Sequence, residues 1–206
     1  MNVIKKIKNK LQKKVKYDSS FFRDEWFNNW ESLKFVLEKL IHLTGDYSNV
    51  VDYGCGPGVM IDYMNNKGSC NYYGYDNSIE AYELYKKKYG TNPEKYLKEK
   101  YELKSKSWDL FLSFDVLEHM NNFEIEELFV NNIIVKKLFL NISREKHIKG
   151  HINIKTDCEW IKYFEYLEFT FNEKETQNVR DYYLTLKPDG ADKWNKNMFI
   201  FENIKK

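Results

Sequence analysis

Three glycines on alternate positions constrain this chain more than any other feature: Gly54, Gly56 and Gly58 in "NVVDYGCGPGVMIDYM", with Pro57 between the last two. Inside a strand or a helix the spacing is wasteful, because each glycine loses more backbone entropy on folding and offers no side chain to pack. It is useful where a chain turns sharply and brings its main chain close to a ligand. The turn separates an apolar run from an amphipathic one, so it reads as a strand-to-helix junction. Pro57 suits the first turn of the following helix, where its missing N–H costs nothing.

The surrounding pattern extends this junction into an alternation. "NVVDYG" predicts a buried strand and "PGVMIDYMNNKG" a short helix with Gly68 past its end. "CNYYGYD" predicts a second strand, and "SIEAYELYKKKYG" a helix stopped at Gly90. A loop or short strand follows around Lys95–Leu103. "WDLFLSFDV" and "VKKLFLNIS" predict two further strands, with a short helix over Glu124–Asn132 between them. "TDCEWIKYFEYL" predicts a helix capped by Thr156 or Asp157. "FTFNEKET" and "YYLTL" have strand composition, and "NMFIFENI" closes the chain as a strand. Strands and helices alternating at this pitch mean βαβ units and a mostly parallel sheet. With 206 residues, no linker and no internal repeat, one domain over residues 1–206 is expected. It divides into a helical cover over 1–45 and an α/β core over 46–206.

In open α/β sheets, ligands bind at the carboxyl ends of the strands, where this glycine turn lies. Its spacing is not the dinucleotide G-x-G-x-x-G. It is D-x-G-x-G-x-G, carried by Asp52, Gly54, Gly56 and Gly58. Here the sequence resembles the class I S-adenosylmethionine-dependent methyltransferases. Asp76 ends the second strand 22 residues after Gly54, where that family places the acid that binds the ribose hydroxyls. "WDLFLSFDVLEHM" is similar to the family's fourth strand and its continuation. The resemblance spans roughly Asn49 to Leu140. It implies a Rossmann-like, mostly parallel seven-stranded sheet with helices on both faces, an antiparallel C-terminal strand and N-terminal helices over the site.

It also implies S-adenosylmethionine as cofactor and S-adenosylhomocysteine as product. Asp52, Tyr53, Gly54, Cys55, Gly56 and Gly58 would form the turn around the amino-acid end, with Asp52 near the amino group. Asp76 and Asn77 would hold the ribose, and Ser113 and Phe114 would flank the methionine moiety. Glu99 and Glu102 are candidates for the adenine, although "LKSKSW" departs from the acidic pattern of the family. The carboxylate at Asp76 suits hydroxyl donors, since charge-assisted bonds are about twice as strong as neutral ones.

Methyl transfer mostly requires positioning; a base is needed when the acceptor is an alcohol. His119 and His151 follow the fourth and fifth strands at the ligand edge and are the candidate bases. Glu118 serves as base or as packing for its loop. Asp115, Glu118, His119 and His151 have metal-ligating donor types, but their spacing specifies no site, so no metal is expected. Arg144 can bind an anionic substrate group. Trp194, with Tyr182 and Tyr183, can stack on a sugar or ring, and Phe21, Phe22 and Trp26 can roof a pocket.

Composition narrows the partners. Lys+Arg 33 against Asp+Glu 31 gives +2, which does not point to nucleic acid. The base-methyltransferase Pro-Pro-aromatic run is absent. A small-molecule acceptor is therefore expected, foremost a hydroxyl of a sugar, nucleotide-sugar or related metabolite. Methyl transfer to RNA or protein, and a catalytically silent cofactor-binding partner, are the alternatives. Residues 2–16 hold seven lysines and no acid, with Ile4, Ile7, Leu11 and Val15 at helical spacing. They read as a surface helix, or as one making weak contact with an anionic membrane. No run is long enough to span a bilayer. Cys55, Cys70 and Cys158 show no paired or zinc spacing, which with the absence of a signal-peptide core predicts a cytoplasmic protein.

Overall fold

The computed structural model describes residue 22 and residues 24–90, 92–187 and 193–204. Residues 2–16 and Phe21, and the side chain of Trp26, lie outside the described residues. The elements are α1 (Asp24–Leu43), β1 (Asn49–Tyr53), α2 (Val59–Lys67), β2 (Asn71–Tyr75), α3 (Ile79–Lys88), β3 (Tyr96–Leu97) and β4 (Ser107–Phe114). They continue with α4 (Asn122–Glu126), β5 (Ile134–Asn141), α5 (Asp157–Tyr166), β6 (Phe169–Phe171), α6 (Glu173–Leu186) and β7 (Met198–Asn203).

The seven strands form one sheet in the order β3-β2-β1-β4-β5-β7-β6. β1 pairs in parallel with β2 and β4, and β4 with β5, while β7 runs antiparallel to both β5 and β6. This is the expected Rossmann-like sheet. The order reverses between β1 and β4, which is the switch point where such sheets bind ligands. The register aligns the strand ends: Tyr53 lies beside Tyr75, and Phe114 beside Asn141. Their carboxyl termini therefore share one edge.

Both sheet faces are covered, which explains the nearly continuous apolar strands. On one face Val51, Tyr53 and Phe111 meet Ile125 of α4, Leu128 and Phe129 of the π-helical turn Glu127–Asn132, and Trp160 and Phe164 of α5. On the other, Val50, Leu110 and Leu112 meet Leu37 and Leu40 of α1, Met60 and Met64 of α2, and Val179 and Tyr183 of α6. Burying side chains of this size contributes about 1.5–3 kcal/mol each.

α1 is thus built into a helical layer beside the sheet. Among the described residues of the expected cover, Phe22 is buried against Val59 at the head of α2 and Ala81 in α3, and Trp30 of α1 packs on the same cluster. Elsewhere local signals held. Thr156 caps α5 in a reciprocal capping box with Glu159. "YYLTL" is a departure: it lies inside α6, not in a strand. Thr176, Val179 and Tyr183 are the buried residues of that helix, and their spacing of three and four is helical.

Candidate functional site

The glycine turn is tied to its surroundings by its own main chain. The N–H groups of Gly54 and Cys55 both donate to the Tyr75 carbonyl, at 2.7 and 3.2 Å, and that of Gly58 to the Cys55 carbonyl. The Gly56 N–H donates to Asp76 Oδ2 at 2.9 Å, and the Gly56 carbonyl accepts from the Tyr96 hydroxyl at 2.9 Å. Four amides of the turn are therefore committed internally. Gly54 has φ +85°, and a Cβ there would lie 2.2 Å from Val116 Cγ2. The turn and the segment after β4 are in close contact at the switch point. At Gly58 the close neighbour is a helix: a Cβ there would meet the Tyr85 ring of α3 at 2.5 Å.

Carboxylates flank the turn. Asp52 is buried, accepts the Tyr72 hydroxyl at 3.2 Å, and is pushed up to about 7 by burial. Asp76 accepts Ser78 N–H at 2.8 Å through Oδ1 and Gly56 N–H through Oδ2. Burial raises its carboxyl, and these backbone donors oppose the rise. Asn77 is exposed beside it.

Other expected cofactor residues are placed near the turn with their side chains turned away from it. The Tyr53 ring packs against Tyr75 and Phe111, leaving its main chain at the edge. The Cys55 thiol faces Gly74, whose added Cβ would lie 2.7 Å from the sulfur. Ser113 Oγ donates to the Tyr53 carbonyl at 3.1 Å, tying β4 to β1. Phe114 forms an aromatic wall with Trp194, their centroids 5.6 Å apart. Glu102 accepts the Lys98 and Glu99 N–H groups, and Glu99 completes the same reciprocal cap. Both candidate adenine acids thus serve the turn after β3.

A second cluster stands at the ends of β4 and β5. Asp115 follows β4 with φ +56°, an uncommon backbone for a non-glycine residue, and accepts the Trp194 indole N–H at 3.1 Å. The 3₁₀ turn Leu117–His119 then carries Glu118 inward. Glu118 Oε1 accepts Ser143 N–H at 2.9 Å, whereas the buried Oε2 has no hydrogen-bond partner. Burial, then Asp115, push its carboxyl well above the ordinary range. His119 and His151 face each other edge-on with ring centroids 4.6 Å apart. Their Nδ1 atoms lie 3.0 Å from the Gly150 carbonyl and 2.9 Å from the Glu145 carbonyl. Burial lowers both imidazoles below the usual value, which favours the neutral form.

Arg144 has its guanidinium engaged by protein partners. It pairs with Asp157 at 2.5 Å, reaches Asn197 Oδ1 at 3.3 Å and bonds the Lys196 carbonyl. Its guanidinium fastens the loop after β5 to α5 and to the turn before β7. Trp194 packs on Tyr183 as well as Phe114. Two site residues escape sequence reasoning: Tyr72, which holds Asp52, and Tyr96, which holds Gly56. Nothing distinguishes a tyrosine whose hydroxyl supports a turn from one that only fills a core.

Residues 31–180 match the family described as "Methyltransferase domain". No curated protein matches the chain in sequence. Among solved structures, an S-adenosylmethionine-dependent methyltransferase from Archaeoglobus fulgidus is similar at 17% identity and TM-score 0.57, covering 89% of this chain and 98% of that one. Magnesium protoporphyrin IX methyltransferase from Synechocystis PCC 6803, with bound SAM, is similar at 16% identity and TM-score 0.54, covering 87% and 80%. The 16S rRNA methylase ArmA is similar at 12% identity and TM-score 0.52, covering 84% and 82%.

Proposed function

Because the chain belongs to the methyltransferase-domain family, we propose that it transfers a methyl group from S-adenosylmethionine to a small-molecule hydroxyl. The observation that carries the choice of donor is the state of the glycine turn. Its amides at Gly54, Cys55, Gly56 and Gly58 are spent inside the protein, and Asp52 and Asp76 stand beside it. A phosphate would meet carboxylates and no spare nest of N–H groups. A donor with an ammonium, a sulfonium and a ribose suits the same surface.

Each Asp76 oxygen accepts one backbone N–H, and a carboxylate oxygen has a second lone-pair site for a ribose hydroxyl. Asp52 would attract the ammonium. Phe114 and Trp194 would wall the passage beside the reacting carbon. When bound, the donor supplies an electrophilic methyl: a bond forms from the acceptor oxygen to carbon, the carbon–sulfur bond breaks, and its electron pair stays on sulfur. In the metal-free protein the acceptor proton would go to an Nε2 of His119 or His151, whose Nδ1 atoms face carbonyl oxygens and so carry their hydrogens; an ion held by those Nε2 atoms would replace this base role.

The near balance of 33 basic and 31 acidic residues supports a sugar-like or other uncharged hydroxyl acceptor over a polyanion. Three free cysteines, Cys55, Cys70 and Cys158, fit a reducing compartment, and no helix among the described residues is long and apolar enough to cross a membrane.

Calorimetry with S-adenosylmethionine tests the donor. Expected is one-to-one binding, with NAD giving no heat. Turnover on a panel of sugars, nucleotide-sugars, RNA and proteins, read as adenosylhomocysteine, tests the acceptor. Turnover on RNA or protein alone would overturn the acceptor class. Binding without turnover on any of them would favour a silent partner subunit.

A further inference from the structure

Resting on the reading of this cleft as the methyl-transfer site, we propose that Glu118, His119 and His151 bind a divalent first-row transition-metal ion that activates the acceptor hydroxyl. The three side chains offer one carboxylate oxygen and two imidazole nitrogens within 4.8 Å of one another. A first-row ion with bonds of about 2.1 Å holds neighbouring ligands roughly 3–4 Å apart, so small side-chain rotations close the set.

Two further observations point to a cation. Glu118 Oε2 is fully buried and lacks any hydrogen-bond partner. Its sister oxygen is held by Ser143 N–H at 2.9 Å, and His151 Nε2 stands 4.0 Å from that same oxygen. An orphaned buried carboxylate oxygen is costly, and a bound ion is one of the few ways to satisfy it. The second observation is the outer support of the rings. A carbonyl can only accept, so the contacts of His119 Nδ1 with Gly150 O and His151 Nδ1 with Glu145 O fix the hydrogens on Nδ1. Each Nε2 then carries the lone pair. Metal-bound histidines have this arrangement, with the far nitrogen donating to a carbonyl or carboxylate. The Glu118 carbonyl itself accepts the Ile152 and Asn153 N–H groups at 2.9 and 3.0 Å, so the backbone carrying His151 is laced to the backbone carrying Glu118.

Two imidazoles and a carboxylate suit Mn²⁺, Fe²⁺, Co²⁺ or Zn²⁺ better than an oxygen-preferring ion. Three protein ligands leave positions open for substrate, as catalytic sites do and closed structural sites do not. The chemical class implied is a hydroxyl with a neighbouring oxygen, which can chelate. Coordination lowers the hydroxyl pKa, and its proton leaves to solvent before oxygen attacks the methyl carbon.

The test is Co²⁺ titration of the metal-stripped full chain, followed by visible absorption and proton magnetic resonance. Expected are saturation at one equivalent, ligand-field bands, and two solvent-exchangeable, paramagnetically shifted N–H signals from the two rings. Glu118→Gln, His119→Ala and His151→Ala should each weaken Co²⁺ binding at least tenfold, whereas His147→Ala, at an exposed histidine outside the cluster, should not. No saturable binding, or saturable binding without the two ring signals, would overturn the proposal. So would unchanged Co²⁺ affinity in all three variants. The wild-type spectrum decides the matter even where a variant fails to fold. Calorimetry with S-adenosylmethionine on the stripped protein separates the two readings. Donor binding without Co²⁺ binding removes the metal alone, and Co²⁺ binding without donor binding removes the methyltransferase reading of the cleft.

Discussion

Asp76 Oδ2 accepts the Gly56 amide at 2.9 Å, joining the end of β2 to the glycine turn after β1. The same carboxylate takes Ser78 N–H through its other oxygen at the approach to α3. One side chain thus fixes the turn, the helix approach and the proposed ribose contact together. Asp76→Ala should weaken S-adenosylmethionine binding more than tenfold by calorimetry, since it removes a charge-assisted acceptor. Asp76→Asn should keep part of the fold contact yet lose most of the affinity. Unchanged affinity in both would remove Asp76 from the site.

Gly54→Ala sets a backbone cost against a packing cost. The added Cβ would fall 2.2 Å from Val116 Cγ2 at φ +85°, and valine is stiff at χ1. Overpacking and left-handed strain together should lower stability on the order of 3 kcal/mol in urea melts. Gly68→Ala is the control: φ is +69° with nothing within 4 Å of the new carbon, so only about 1 kcal/mol should be lost. Donor affinity should fall in the first variant and persist in the second. Equal costs would show that the Gly54–Val116 contact is unimportant.

Most of the sheet was legible because its longer strands are apolar runs with turn residues at their ends, whereas β3, only Tyr96–Leu97, lies in a stretch that reads equally as loop. Asp52, Asp76 and the three glycines were legible because their spacing is tied to one turn geometry. What stayed hidden depended on distant chain segments. "YYLTL" has the aromatic and β-branched composition of a strand, yet Tyr183 is buried alongside Val179 and Thr176 on one helical face. Arg144 looked available for a substrate because Asp157 and Lys196 come to it only through folding. The grouping of Glu118, His119 and His151 was hidden in the same way. The loop after β5 returns His151 to within 4.0 Å of Glu118, and no linear pattern reveals that.

Arg144→Ala separates a fastening role from a substrate role. The lost bonds to Asp157, Asn197 and Lys196 are partly exposed, so they should cost only about 1–2 kcal/mol. If the guanidinium is a fastener, KM for an accepted substrate should stay within twofold while the melting temperature falls. A large rise in KM at unchanged stability would return Arg144 to the acceptor site.

Asp52 predicts a pH dependence with a definite sign. Burial lifts its carboxyl from 3.8 to about 7, so between those values the folded chain binds more protons there than the unfolded chain. Stability must therefore fall as pH rises through this window, by on the order of 4 kcal/mol in all, with the cost absent below the lower value and complete above the upper one. Asp52→Asn removes that contribution. In urea melts from pH 5 to 8, the wild type should lose stability relative to the variant, and parallel curves would contradict the assignment. A cationic donor works in the opposite direction, because its ammonium favours the ionised carboxylate. Wild-type affinity for S-adenosylmethionine should rise from pH 6 to 8, with proton release visible as a dependence of binding heat on buffer ionisation enthalpy. The variant should bind more weakly at pH 8 and show no such rise. A wild-type affinity that is flat across this range would mean that the donor's ammonium does not sense Asp52.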